Sequence, residues 1–118
     1  MFPMSVHNLV VLRGALAGEP RHRELPTGGV IAQFDVTTRD EAGTQTVPVA
    51  WFDPPRAAAD LEAGTEVVVV GSVRRRFFRA GGATQSRTEV LADKVVRASR
   101  TRAAQKLVES IVVLLDAA

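Results

Sequence analysis

Glu66-Val67-Val68-Val69-Val70-Gly71-Ser72-Val73-Arg74-Arg75-Arg76-Phe77-Phe78-Arg79 is the stretch whose reading decides the fold. Four consecutive valines, with Val73 beyond them, form a run of β-branched residues that packs well on a pleated surface. It reads as one long strand. Ala80-Gly81-Gly82 then marks a turn, and Thr84 to Val96 reads as the strand that returns alongside it. Upstream, Asp53-Pro54-Pro55 opens a short Ala- and Leu-rich helix over Arg56 to Glu62. Asp53 is its expected N-cap, with proline tolerated in the first turn and Gly64 as the C-terminal stop.

Three more strands precede that helix. Val6 to Leu16 mixes apolar and polar residues, and Gly14 suggests a bend or bulge. Glu19-Pro20 marks a turn, and Leu25-Pro26-Thr27-Gly28-Gly29 a stronger one. Val30, Ala32, Phe34 and Val36 then alternate with Ile31, Gln33, Asp35 and Thr37, the period of a half-buried strand. A hairpin turn at Asp40 to Gly43 leads into Thr44 to Phe52. Three strands, a short helix and two strands is the element order of an OB-fold barrel, which offers a strand face to oligonucleotides or sugars. The expected class is therefore mainly β: a five-stranded OB-fold barrel with a short helix between strands three and four and a C-terminal helix. Thr101 to Ala117 supplies that last helix, with Ala104, Leu107, Val108, Ile111, Val112 and Leu115 at helical spacing. It docks on its own domain or pairs with another subunit. The reading divides the chain into an OB domain over residues 1–98 and a docking or oligomerisation helix over 99–118.

The chain's 118 residues are 46% hydrophobic and 24% charged, which excludes disordered, collagen-like and coiled-coil classes and suits one domain with a real core. No cysteine is present, so there is no disulfide framework, thiol nucleophile or cysteine–zinc site. His7 and His22 are the only histidines, too few for a metal or acid–base constellation without clustered carboxylates. Gly28-Gly29 lacks the lysine of a phosphate loop, and Ser86, Ser99 and Ser110 lack a nucleophile-elbow context. Asp40-Glu41 and Asp60-Glu62 read as solvated charge. The expectation is a non-enzymatic protein with no cofactor and no metal. No apolar run approaches a membrane span and no leader pattern is seen, so a soluble, cytoplasmic location is expected.

The formal net charge is only +2, but it is unevenly spread. Met1 to Val70 carries 5 basic and 9 acidic residues, whereas Gly71 to Lys106 carries 10 basic and 2 acidic. A localised basic segment points to a localised anionic partner. Because side chains alternate along a strand, Arg74, Arg76 and Phe78 share one face of the long strand. Single-stranded nucleic acid is bound by that mixture, cations tracking phosphates and a ring stacking a base. The competing reading places Phe77 or Phe78 in the core, with the arginines a solvated strand end. In the third strand, Val47, Val49 and Trp51 share the more apolar face and read as core, which turns Phe52 to the opposite face. Arg79 and Arg87 extend the cationic track.

Asn8-Leu9-Val10-Val11-Leu12-Arg13-Gly14-Ala15-Leu16, then Glu19-Pro20, Arg23, Leu25-Pro26-Thr27-Gly28-Gly29 and Ala32, resemble the start of bacterial single-stranded DNA-binding proteins. Gly64-Thr65-Glu66-Val67 and Gly71-Ser72-Val73-Arg74 resemble that family's fourth strand, and Thr88-Glu89-Val90 its fifth. The similarity runs from Ser5 to about Val96 as an ordered set of short matches. It implies an OB domain that wraps single-stranded DNA in replication, repair or recombination, usually as a homotetramer. It also places the family's stacking aromatics of strands three and four on Phe52 and Phe78. The resulting nucleic-acid-binding set is Arg39, Phe52, Arg74, Arg76, Phe78, Arg79 and Arg87, with Arg13 a weaker candidate. RNA binding by the same face is not separable from DNA binding in the sequence. Two departures stand out. The family often carries two further tryptophans on this surface, where Arg39 to Thr46 has no aromatic residue. It also usually ends in a flexible acidic-tipped tail, where this chain ends in an apolar helix. Those departures motivate the alternative of an OB protein-interaction or assembly module with weak or no DNA binding.

Overall fold

The computed structural model describes residues 8–116; the expected strand start at Val6, His7 and the expected helix end at Ala117 lie outside the described residues. Seven sheet and helix elements follow one another: β1 Val10–Leu16, β2 Arg21–Glu24, β3 Val30–Asp40, β4 Gly43–Phe52, β5 Glu66–Ala80, β6 Ala83–Arg97 and α1 Thr101–Asp116. A single 3-10 turn, Arg56–Asp60, separates β4 from β5. The sheet order is β1-β5-β6-β4-β3-β2, and an additional β1–β3 pairing closes five of the strands into a barrel. All ladders are antiparallel except β4 with β6, which meet in parallel at Val49 with Val90 and Ala50 with Leu91. This is the five-stranded OB-fold architecture, with the short helical turn between the third and fourth barrel strands and a helix after the fifth.

Two local expectations are corrected. The segment after Glu19-Pro20 is a strand, not only a turn: β2 continues along the β3 edge that β1 leaves. β1 pairs Leu16 with Val36, the chain bulges out at Ala17 to Pro20, and β2 resumes with Arg21 opposite Gln33. The first barrel strand is thus one strand in two pieces. Asp53 is not a helix N-cap; Pro55 holds that position with no side-chain cap. Instead Asp53 adopts a left-handed φ of 49° and clips β4 to β3. Its N–H donates to the Val30 carbonyl at 2.7 Å, and the Val30 N–H donates to Asp53 Oδ1 at 3.1 Å. The prolines that follow deny the segment early helical donors, and one 3-10 turn results, ending at Leu61, well before Gly64.

The valine run of β5 is buried on both faces, which explains its lack of alternation. Val67 and Val69 point into the barrel with Leu16, Phe34, Val36, Val49 and Trp51. Val68 and Val70 point outward beneath α1, against Ala104, Leu107 and Ile111. The 3-10 turn plugs one end of the barrel with Ala58 and Leu61. Closure requires two glycines. A Cβ on Gly14 would collide with the Thr37 carbonyl oxygen, and a Cβ on Gly71 with that of Leu91. Gly71 also sits where the β5–β6 ladder shifts register, skipping Asp93. Only one stripe of α1, Ala104, Leu107 and Ile111, is docked. Val108, Val112, Val113, Leu114 and Leu115 are all exposed.

Gly71→Ala is expected to destabilise the fold by about 1–3 kcal/mol, because backbone must move to admit the methyl group. Thermal melting would show this as a fall of roughly 4–8 °C per kcal/mol. Leu107→Ala should cost about 2–5 kcal/mol through the cavity it leaves under α1. Leu114→Ala, on the open side of the same helix, should stay within about 0.5 kcal/mol in parallel urea titrations.

Candidate nucleic-acid interface

Beyond Gly71 the long hairpin leaves the barrel. β1 pairs with β5 only as far as Gly71, and β4 meets β6 only near Val90. Val73 to Glu89 is therefore a two-stranded ribbon, exposed on the side of Val73, Arg75 and Phe77 and half-covered on the other. Its tip is a two-residue turn in which Gly81 and Gly82 both have positive φ, 58° and 79°. That conformation matches the right-handed strand twist and favours glycine. The turn fixes the register: Ala80 faces Ala83, Phe78 faces Gln85, Arg76 faces Arg87 and Arg74 faces Glu89. Directly opposed residues share a face of the sheet, so Arg74, Arg76, Phe78, Arg87 and Glu89 line one side of the ribbon.

That side joins the outer surface of β4 and β3. Phe52 lies next to Ile31 at the end of β4, 39% exposed, with the Arg74 guanidinium carbon 5.2 Å from its ring centre. Arg76 lies 5.1 Å over Phe78 in the same manner. Arg87 Nη2 comes within 4.0 Å of Asp35 Oδ1 on β3. Arg39 shares strand parity with Asp35 and is exposed at the far end of β3. The structure thus brings Phe52, Arg74, Arg76, Phe78 and Arg87 onto one surface, with Arg39 on its margin. Trp51 is buried in the barrel.

Arg79 is not on that surface. It follows Phe78 and so points the other way, donating to the Gly82 carbonyl at 3.1 Å. Its side of the ribbon carries Arg75 and a 66% exposed Phe77, with the Arg75 guanidinium carbon 5.9 Å from the ring centre. Neither phenylalanine is part of the core. Arg13 is also elsewhere, in an exposed pair with Glu66 at 2.8 Å.

Sequence reasoning missed Glu89. It is 3% exposed, the one charged residue among the buried side chains described. Arg74 donates to its Oε2 through Nε at 3.0 Å and Nη2 at 2.7 Å. Arg76 Nε stands 3.6 Å from the same oxygen. Removing a carboxylate from water is costly unless it is paired and hydrogen-bonded, and two guanidiniums meet that condition here. The signal was available: a two-residue turn at Gly81-Gly82 puts Glu89 opposite Arg74, and Glu89 is one of two acids in the basic segment. Four arginines on this surface therefore face two carboxylates, Asp35 and Glu89. The net field is positive but weaker than the arginine count alone suggests.

No helix among the described residues is long and apolar enough to cross a membrane. No curated protein matches the chain. The single-strand binding protein family does match it, over residues 7–98. That span takes in the closed barrel, the Arg-ringed aromatics and the ribbon. The chain therefore belongs to the single-strand binding protein family, whose domain binds single-stranded DNA.

Proposed function

We propose that the protein coats single-stranded DNA without sequence preference, by stacking bases at Phe52 and Phe78 and attracting phosphates to Arg39, Arg74, Arg76 and Arg87. The supporting observation is that an exposed ring, Phe52, and a half-buried one, Phe78, share one strand face of the barrel and ribbon with three guanidiniums, with Arg39 at its margin. Stacking tolerates any base because every base has a π-face, and each stacked base is worth about 1–3 kcal/mol. The role of the surface in this reading is binding, not turnover. In this reading the chain acts as a homo-oligomer, a tetramer by family habit, on strands exposed in replication, repair or recombination in the cytoplasm. Arg79, on the opposite side of the ribbon, is left out of this set.

A second reading has its own observation. The free side of α1 presents Val108, Val112 and Leu115 along one stripe that its own barrel does not cover, and Val113 and Leu114 are exposed elsewhere on the helix. An OB module specialised for protein assembly would use such a face, and DNA binding would then be weak.

Titration of a fluorescent oligo-dT of roughly 35 nucleotides at several salt concentrations, with duplex as control, separates the two. Single-strand-selective binding is expected, with a salt slope between about −1.5 and −3 per subunit face, given that single strands contribute about 0.7 per neutralised phosphate. Phe52→Ala and Phe78→Ala should each weaken it by about tenfold, with folding retained. Absence of binding at low salt would move the function to assembly. Sedimentation of the intact chain and of Val112→Glu is the companion measurement. Loss of an oligomer in the variant, with its melting profile preserved, would assign the α1 face to subunit contact.

A further inference from the structure

We infer that Glu89 is a positioning residue that holds Arg74 and Arg76 over Phe52 and Phe78, so that each arginine serves as the outer layer of a stacking platform and not as a free phosphate ligand. The inference rests on the DNA-binding reading above and replaces, within it, phosphate contact by Arg74 and Arg76 with base stacking on them.

Three observations carry it. First, one carboxylate oxygen is shared: Arg74 reaches Glu89 Oε2 at 2.7 and 3.0 Å, and Arg76 at 3.6 Å. Second, those same two guanidiniums lie over the two candidate rings, at 5.2 and 5.1 Å. The chain Phe52–Arg74–Glu89–Arg76–Phe78 is continuous. Third, Glu89 is 3% exposed while Arg74 and Arg76 remain 31% and 35% exposed. The carboxylate is sealed beneath the arginines, and part of each arginine faces solvent.

The energetics then choose between two ways for a base to arrive. To use the covered face of Phe52 or Phe78, it must displace a guanidinium. Displacing Arg74 strips a buried carboxylate of its hydrogen-bonded partner, the expensive way to break such a pair, and displacing Arg76 removes its second, longer ion pair. To use the outer plane of the guanidinium, it disturbs nothing. Arginine is suited to this: its group is planar, delocalised, weakly hydrated and stacks on π-systems, and bases stack on guanidinium planes as on aromatic rings. A ring–guanidinium–base sandwich also supplies stacking area on a surface where Arg39 to Thr46 contributes no aromatic side chain. Phosphate attraction is then left to Arg87 and Arg39.

The double variant Arg74→Lys/Arg76→Lys tests this, since it keeps both charges and removes both planes. Titration with the oligo-dT probe should show an affinity loss of at least about tenfold at every salt concentration, with the salt slope unchanged. In the Phe52→Ala background, Arg74→Lys should cost less than it does alone, because the platform is already broken. Unchanged affinity in the double variant, with its melting profile retained, overturns the inference. Glu89→Gln gives an opposite-sign check. It adds one net positive charge to the surface, so simple electrostatics expects tighter binding and a slope steeper by about 0.7. Loss of the clamp predicts weaker binding despite that steeper slope. Tighter binding overturns the clamp, and weaker binding with an unaltered slope reduces Glu89 to a structural role and overturns it too. If Glu89→Gln does not fold, the lysine variant decides alone. Failure of the underlying reading looks different: the unmodified chain does not bind, or removing Phe52 and Phe78 is silent, and the platform falls with it. Ring removal that weakens binding, beside a silent lysine swap, removes the platform only.

Discussion

The structure depends on a single strand serving two neighbours. β1 pairs with β5 through Val10 to Ala15 and with β3 at Ala15 and Leu16, and this sharing turns a sheet into a closed barrel. The approach is so tight at Gly14 and Gly71 that no side chain fits against the facing carbonyls. Closure buries Leu16, Val36, Val67 and Val69 almost completely. It also sets the parallel contact of β4 with β6, which brings the β4 surface beside the ribbon. Without closure, Phe52 and Arg74 would have no reason to meet.

Leaving the barrel changes what the same strand needs. Within the barrel, β5 is covered on both faces and is filled with valine. Past Gly71 its β1 neighbour ends, one face meets solvent while the other is only half-covered, and the sequence turns to Arg74-Arg75-Arg76-Phe77-Phe78-Arg79. A lone two-stranded ribbon is marginal in water. Here its base is tied by a buried carboxylate shared between two guanidiniums, each lying over a ring. The result is a rigid polar network at the point where the ribbon joins the barrel. A network of this kind is costly when half-satisfied and orienting when complete; among the described buried side-chain polar atoms none lacks a partner.

The helix shows the reverse economy. Val68 and Val70 need a cover, and Ala104, Leu107 and Ile111 provide it. Those three residues occupy only the stripe nearest the barrel. The apolar positions at 108, 112 and 115 belong to a second stripe that turns away from it. An amphipathic pattern wider than the surface it docks on is an exposed patch, and patches of that sort mark contacts with other molecules.

The sequence by itself determined the succession of the five barrel strands along the chain, the glycine turns between them and which residues of a strand share a face. Those are local properties: alternation has a fixed period, glycine and proline punctuate the chain, and a two-residue turn fixes a hairpin's register. That is why Trp51 could be assigned to the core and Phe52 to the surface, and why Arg74, Arg76 and Phe78 could be grouped. Tertiary structure decided what depends on distant segments meeting. Asp53 became a clip to Val30 because β3 lies beside it; a capping role was equally compatible with the residues around it. β2 formed because the β3 edge was vacant beyond Leu16, which no local pattern in Arg21 to Glu24 announces. Arg79 moved off the surface because proximity in sequence to Phe78 is opposition in a strand. Glu89 became the centre of the surface because burial depends on what packs over a residue, and only the assembled ribbon and barrel place two arginines above it.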